Sequence, residues 1–366
     1  MHSQEIAQKA VEMFGNVVVS IRKHTGMKLV VILVALVGII VFIGSKTTTS
    51  TINTATVAGT TVFVESKATA STINIATVND PVIAAAGDIA CDPSSVNFKN
   101  DDGSTNDCRQ KYTSDLLVNA HLAAVLALGD NQYECGSYEA HISSYDLSWG
   151  RVKAITHPVV GNHEDLTSGG TGCSSDNAGA AGYFKYFGAA AGTPEQSYYS
   201  FDIGTWHLIA LNSNCSSGGG CTASSPQGRW LQTDLLTHRN QCTLAYWHIP
   251  LFSSGGRARN NTKPFWQLLY NNNADLILQA HDHIYERFAP QTPDGVADST
   301  RGIRSFIVGT GGADHTEIVS IADNSEVRNK NTYGVLMLTL HPNSYDWKFV
   351  PEAGKTFTDS GTGTCH

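Results

Sequence analysis

The chain is expected to fold as an α/β domain over roughly its last 285 residues. Two observations lead there. From Pro81 onward, short apolar runs of strand length alternate with helical patterns. The composition, 41% hydrophobic and 15% charged over 366 residues, gives enough apolar side chains for one large core. No Pro/Gly linker divides this region, so one domain is expected over 80–366.

The elements follow in order. PVIAAAG (81–87), AAVLALG (123–129), HPVVG (157–161), CTLAYW (242–247) and DLILQA (275–280) read as buried strands. Residues 109–122, 225–239 and 262–272 read as helices between them. SYYSFDI, TWHLIALNS, SFIVGT, GVLMLTL and SYDWKFV add further strands.

Before this domain lie two different textures. Leu29 to Gly44 is an uncharged apolar run of sixteen residues. A spanning helix needs roughly 17–25 residues and a signal-peptide apolar region about 7–15, so the run sits between them. Arg22, Lys23 and Lys28 precede it, and only Lys46 follows before Glu65. That asymmetry predicts a cytoplasmic N-terminus with the rest of the chain exported. Residues 1–45 are expected to be a signal anchor, holding the chain to a membrane through 29–44, or a cleaved signal peptide beginning at Met27. Residues 46–79 are rich in Ser and Thr and repeat STINTATV (50–57) as STINIATV (71–78). They read as an extended linker, with a small strand pair as the alternative.

Eight cysteines are present without a CxxC pair, which argues against a zinc ribbon or a thioredoxin-like motif. An even number in loop-like sequence suits disulfides in an oxidising, extracytoplasmic compartment. Cys215 and Cys221 flank SSGGG and are expected to pair; Cys91 with Cys108 is a second expected bridge. The net charge is -8 and no Lys/Arg run suggests a nucleic-acid face.

The chemistry stands at the strand ends. PVIAAAG is followed by Asp88, AAVLALG by Asp130 and Tyr133, and HPVVG by Asn162 and His163. CTLAYW is followed by His248, and DLILQA by His281, Asp282 and His283. Any one of these could be an ordinary turn former or a satisfied histidine. Five core strands delivering ligand types to one sheet edge predict a metal site, because ligands bind outside the carboxyl ends of strands in α/β sheets. A set of Asp, Tyr, Asn and His without thiolate suits iron, manganese or zinc. It exceeds the four ligands of a structural zinc site, so two ions are expected. A phenolate favours a trivalent ion, which points to iron(III) beside Tyr133.

GDIA (87–90), GDNQY (129–133), GNHE (161–164), WHIP (247–250) and HDHIYER (281–287) resemble, in order, the five blocks of the purple acid phosphatases within the calcineurin-like metallophosphoesterases. The resemblance covers roughly 81–350 and is closest in layout to secreted bacterial members. It implies a four-layer αββα sandwich of two mixed sheets flanked by helices. It implies iron(III) on Asp88, Tyr133 and His283, and a divalent ion (Fe, Zn or Mn) on Asn162, His248 and His281. Asp130 would bridge the two, and His163 would be the general acid or phosphate-binding histidine. The implied reaction is acid phosphatase-like: hydrolysis of a phosphorylated small molecule, a phosphate monoester, by metal-bound hydroxide. A phosphodiesterase or nucleotidase on the same metals, or a non-catalytic surface module, is the alternative.

Departures are few. Ala90 replaces a Gly or His of the first block, and Ala280 replaces the Gly of the last, adding a methyl beside His281. Ile249 and Leu251 make the His248 block more apolar. Asp282 and Glu286 are candidates to support the ligands, or residues of a solvated loop. Arg287 is expected in a structural ion pair. Arg257 and Arg259, in a possible rim loop at 253–261, are phosphate-attracting or simple surface charges.

Overall fold

In the computed structural model, which describes residues 53–57, 60–64, 80–238 and 242–366, the apolar runs are strands. β1 (Asn53–Val57) and β2 (Thr60–Val64) form an antiparallel pair with Asn53 opposite Val64. The apolar run at 29–44 and the rest of the 46–79 segment lie outside the described residues.

The main unit contains β3 (Val82–Ala86), β4 (Ala124–Ala127), β5 (Thr156–Pro158), β6 (Tyr199–Ile203), β7 (Trp206–Ala210), β8 (Cys242–Tyr246) and β9 (Leu276–Gln279). It continues with β10 (Tyr285–Phe288), β11 (Arg304–Val308), β12 (Ser325–Asn329), β13 (Gly334–Leu340), β14 (Ser344–Pro351) and β15 (Ser360–Thr364). Its helices are α1 (Gln110–Asp115), α2 (Tyr138–Ser143), α3 (Ala181–Phe187), α4 (Pro226–Thr237) and α5 (Lys263–Asn271).

Two mixed sheets result. The six-stranded sheet runs β15-β14-β13-β3-β4-β5, with β3, β4 and β5 parallel. The seven-stranded sheet runs β12-β10-β11-β9-β8-β7-β6, with β7, β8, β9 and β11 parallel. Strand alternation builds the layers. Leu208, Leu244, Tyr246, Leu276 and Leu278 face a core shared with Ile83, Leu126 and Leu336 of the other sheet. Their neighbours Ile209, Ala245, Trp247 and Ile277 face the other way, onto Leu231 and Leu235 of α4 and Phe265, Trp266 and Leu269 of α5. Helices flank the sheets as expected.

Local chemistry explains the helix limits. Ser225 caps α4, its Oγ accepting the Gly228 N–H at 3.2 Å, with Pro226 in the first turn. The helix expected over 109–122 stops at Asp115. The Leu116 N–H turns back onto the Thr113 and Ser114 carbonyls, and Asn119 and His121 adopt φ of 63° and 53°. α2, set by the Ser137 cap (3.0 Å to the Ala140 N–H), and α3 were not foreseen, nor were β10, β12 and β15.

Four disulfides join Cys91–Cys108, Cys135–Cys173, Cys215–Cys221 and Cys242–Cys365. Both expected bridges form. The last pair is 123 residues apart in sequence and ties the end of β15 to the start of β8, linking the two sheets. Closing a loop that long restricts the unfolded chain by roughly 5 kcal/mol in the chain-entropy account.

Candidate metal centre

The carboxyl ends of β3, β4, β5, β8 and β9 meet where the two sheets abut. The Gly87 N–H donates to the Val308 carbonyl at 2.9 Å, and the Gly311 N–H to the Gly87 carbonyl at 2.9 Å. Each strand ends in a sharp turn that throws its next side chain into this seam. Asp88, Asp130 and His281 all take left-handed backbone conformations, with φ of 57°, 45° and 71°. Non-glycine residues pay a steric cost there, and such residues cluster at functional sites.

The structure brings all seven expected donors into one connected group. The Tyr133 hydroxyl donates to Asp88 Oδ1 at 3.0 Å and lies 3.0 Å from His283 Nε2. His283 Nε2 is also 3.3 Å from Asp88 Oδ1. On the other side, His248 Nε2 lies 3.1 Å from Asp130 Oδ2 and 3.2 Å from Asn162 Oδ1. One ligand atom from each of Asp130, His248 and His281 falls within 4.8 Å of the others. Asp130 stands between the halves, with its Oδ2 3.4 Å from the Tyr133 hydroxyl. The His163 ring packs against Tyr133 at a tilt of 59°, 4.4 Å between ring centres, and its Nδ1 is 2.7 Å from the Glu134 carbonyl.

Two glycines make room for this packing. At Gly129, with φ of 86°, a Cβ would stand 2.7 Å from the His248 Cβ. At Gly87 a Cβ would stand 2.6 Å from the Ala280 Cβ, so the methyl that departs from the family pattern occupies space Gly87 leaves open.

Two of the candidate ligand histidines, His248 and His283, are oriented through their second nitrogens. His248 Nδ1 faces the Leu128 carbonyl at 2.9 Å, and His283 Nδ1 faces the Asp314 carbonyl at 2.6 Å and its Oδ1 at 3.1 Å. Asp314 was missed, although it follows β11 as the other donors follow their strands. Glu164, the last residue of the GNHE block, has a part in the site that its local pattern does not show. It is fully buried, and its two oxygens accept backbone N–H groups of Gly161 (2.6 Å), Asp130 (3.1 Å), Asn131 (2.6 Å) and Gln132 (3.3 Å). It thus clamps the turns after β4 and β5 together.

Asp282 and Glu286 are neither ligand partners nor solvated. Both are buried and hold the loop after His248: Asp282 accepts from the Arg257 N–H (3.2 Å), and Glu286 accepts from the Ser254 N–H (2.8 Å) and the Ser254 hydroxyl. Arg287 is in an ion pair with Asp359 at 2.7 Å, as expected of a structural residue. Arg257 reaches the His281 carbonyl at 3.3 Å, and the Arg259 guanidinium donates to the Arg257 and Ala258 carbonyls of its own loop, both at 3.2 Å.

The electrostatics of these groups fit a cation. Burial opposes ionisation of Asp130, yet His248 and its neighbours hold the carboxyl far below its ordinary value. Burial pulls His248 and His283 down, but Asp130 and Asp88 outweigh it and push them up to about 9 and about 10. Burial, then the adjacent His248 charge, takes His281 down to about 3. Burial and the Asp88 and Asp130 charges drive the Tyr133 phenol well above its usual range. Burial, then Asp130, raises Glu164 to about 7. Buried carboxylates and a phenol that repel one another are the groups a metal ion stabilises, and bound protons are what it displaces.

Residues 82–285 match the calcineurin-like phosphoesterase family. The chain belongs to that family. Within it, the likeness is to purple acid phosphatases. The chain is 27% identical over 168 residues to purple acid phosphatase 13 of Arabidopsis thaliana, covering 42% of this chain and 30% of the relative. It is 31% identical over 100 residues to purple acid phosphatase 21 of the same plant, covering 25% and 22%. These matches therefore span less than a third of the curated relatives' length. The fold resembles the purple acid phosphatase PPD1 from yellow lupin (Lupinus luteus) seeds, with a TM-score of 0.58 at 18% identity, over 78% of this chain and 53% of that one. It also resembles PhoD, with a TM-score of 0.53 at 12% identity, over 78% and 69%.

Proposed function

We propose that this chain hydrolyses phosphate monoesters of small molecules with two metal ions, in the manner of a purple acid phosphatase. One observation carries the reading: seven donors from five strand ends converge, with Asp130 between two groups of three. Asp88, Tyr133 and His283 would hold one ion, and Asn162, His248 and His281 the other. The phenol makes iron(III) the favoured occupant of the first position and a divalent ion (Fe, Zn or Mn) that of the second. When bound, the ions supply an acidified water and neutralise the phosphate oxygens.

The chain's own residues do the rest. His163, with Nδ1 turned to the Glu134 carbonyl, presents Nε2 for a proton that can pass to the departing alkoxide. Tyr133 packs against the His163 ring and limits its rotation. Glu164 and Asp314 keep the ligand turns and His283 in place. The four disulfides support an extracytoplasmic site of action, with residues 1–45 as leader or anchor, 46–79 as linker and 80–366 as the catalytic domain.

The test is a visible absorption spectrum with metal analysis on the same sample, followed by a panel of mono- and diesters. A broad band in the green to yellow with iron present, and faster turnover of monoesters, is the expected result. A colourless protein with two zinc or manganese ions removes the iron assignment. Preference for diesters removes the monoesterase. Failure to take up metal after reconstitution favours the non-catalytic surface module.

A further inference from the structure

A second cluster of metal-ligand types lies at the other end of the seven-stranded sheet. His207 is buried on β7, opposite Asp202 on β6 in the antiparallel register. Its Nδ1 is 2.7 Å from Asp202 Oδ1, and its Nε2 is 2.8 Å from Asp234 Oδ2. Asp234 is buried in the last turn of α4, and its Oδ1 is 3.1 Å from Nδ1 of His238, four residues on. The two imidazoles stack nearly parallel, at 4.6 Å and 10°. One donor atom from each of His207, Asp234 and His238 lies within 4.8 Å of the others.

We infer that His207, Asp234 and His238 form a separate site for one divalent transition-metal ion, with zinc as the fitting occupant. Two imidazoles and a carboxylate, with water in the fourth place, make an ordinary zinc donor set. One carboxylate is too few hard oxygens for calcium, and magnesium disfavours imidazole. Asp202 supplies what a ligating histidine requires: a carboxylate on its other ring nitrogen, which sets the tautomer so that Nε2 faces the metal. Ser200, whose hydroxyl donates to Asp234 Oδ1 at 2.8 Å, orients the carboxylate ligand.

The site is independent of the phosphoesterase centre. His207 pairs with Thr243 in the parallel β7–β8 ladder, five residues before His248, a separation of about 16 Å along the strands. Its role is structural: it fastens the end of α4 to the sheet edge.

The experiment is equilibrium dialysis of the full chain against zinc alone, with metal analysis and a thermal melt, on the wild type and His238→Ala. His238 is an exposed side chain, so its removal leaves the fold intact. The expected result is about one zinc ion less per chain in His238→Ala. Phosphoester hydrolysis is unchanged in that variant, and zinc raises its melting temperature less than it raises that of the wild type. Asp202→Asn should retain the zinc of this site with roughly 10- to 100-fold weaker affinity. Equal zinc content in wild type and His238→Ala overturns the site, whatever the hydrolytic activity. A zinc difference accompanied by a matching loss of hydrolysis also overturns it, because the missing ion then came from the other centre.

Discussion

The Tyr133 hydroxyl donates to Asp88 Oδ1 at 3.0 Å, across 45 residues and from a different strand end. The neutral phenol satisfies that carboxylate, but a phenolate beside it would be costly unless a cation sat between them, which is why the proposed metal position lies at this pair. Tyr133→Phe should abolish any visible band while the Asp130, His248 and His281 side still takes up metal. Spectra and metal content of the variant check this.

The His163 backbone N–H donates to Asp130 Oδ1 at 2.8 Å, while the ring turns its Nδ1 to the Glu134 carbonyl at 2.7 Å, so the substitution to Ala removes the ring and keeps the backbone contact. His163→Ala should therefore keep both ions and lose roughly 10²- to 10³-fold in kcat. The loss should shrink for substrates with good leaving groups, which need no proton. If the variant loses metal instead, the proton-donor role fails.

Glu164 holds four backbone N–H groups in the two turns that carry Asp130 and Asn162. Glu164→Ala leaves them buried without an acceptor and should cost about 3 kcal/mol or more. Glu164→Gln keeps one acceptor oxygen and should cost less. Urea unfolding and metal affinity of the two variants give the comparison.

His141 gives the fold an acid limit away from the metals. It is fully buried, with Nδ1 on the Ser137 carbonyl at 2.9 Å and its ring stacked on Tyr186 at 4.7 Å. Burial lowers it from 6.5 to about 4. The folded chain therefore keeps it neutral while the unfolded chain protonates. Its contribution is whole above about pH 6.5 and is lost as pH falls through about 4, a change of about 3 kcal/mol. His141→Phe should remove about one proton from the pH dependence of unfolding between those values.

Gly87 and Ala280 are coupled by space. Gly87→Ala puts a methyl 2.6 Å from the Ala280 Cβ and 3.0 Å from the Leu128 carbonyl. It should destabilise the chain by about 2 kcal/mol and weaken metal uptake. Adding Ala280→Gly should restore part of the loss, with a coupling energy of about 1 kcal/mol in a double-mutant cycle.

The candidate metal donors were legible because each is a local event. An apolar run of strand length ends, and a polar residue follows at once; no knowledge of neighbours is needed to see Asp88, Asp130 or His248. The two shortest expected bridges were legible for the same reason: Cys215–Cys221 and Cys91–Cys108 close loops of 6 and 17 residues. Cys135–Cys173 and Cys242–Cys365 were not, since they depend on which distant loops lie side by side. β12 and β15 were missed because their sequences, SEVRN and SGTGT, are largely polar and lie only partly buried on edge strands.

Periodicity and turn chemistry act over a few residues, and they suffice for the α/β alternation, the five strand ends and the donor types. What holds those donors still depends on the packing of distant segments. Glu164 reaches turns some 30 residues away, Asp314 reaches His283 across the seam, and Asp282 and Glu286 face a loop rather than a ligand. A buried carboxylate takes its role from whichever N–H or imidazole the folded chain brings to it, and that choice is made by packing between sheets, beyond the reach of any local pattern.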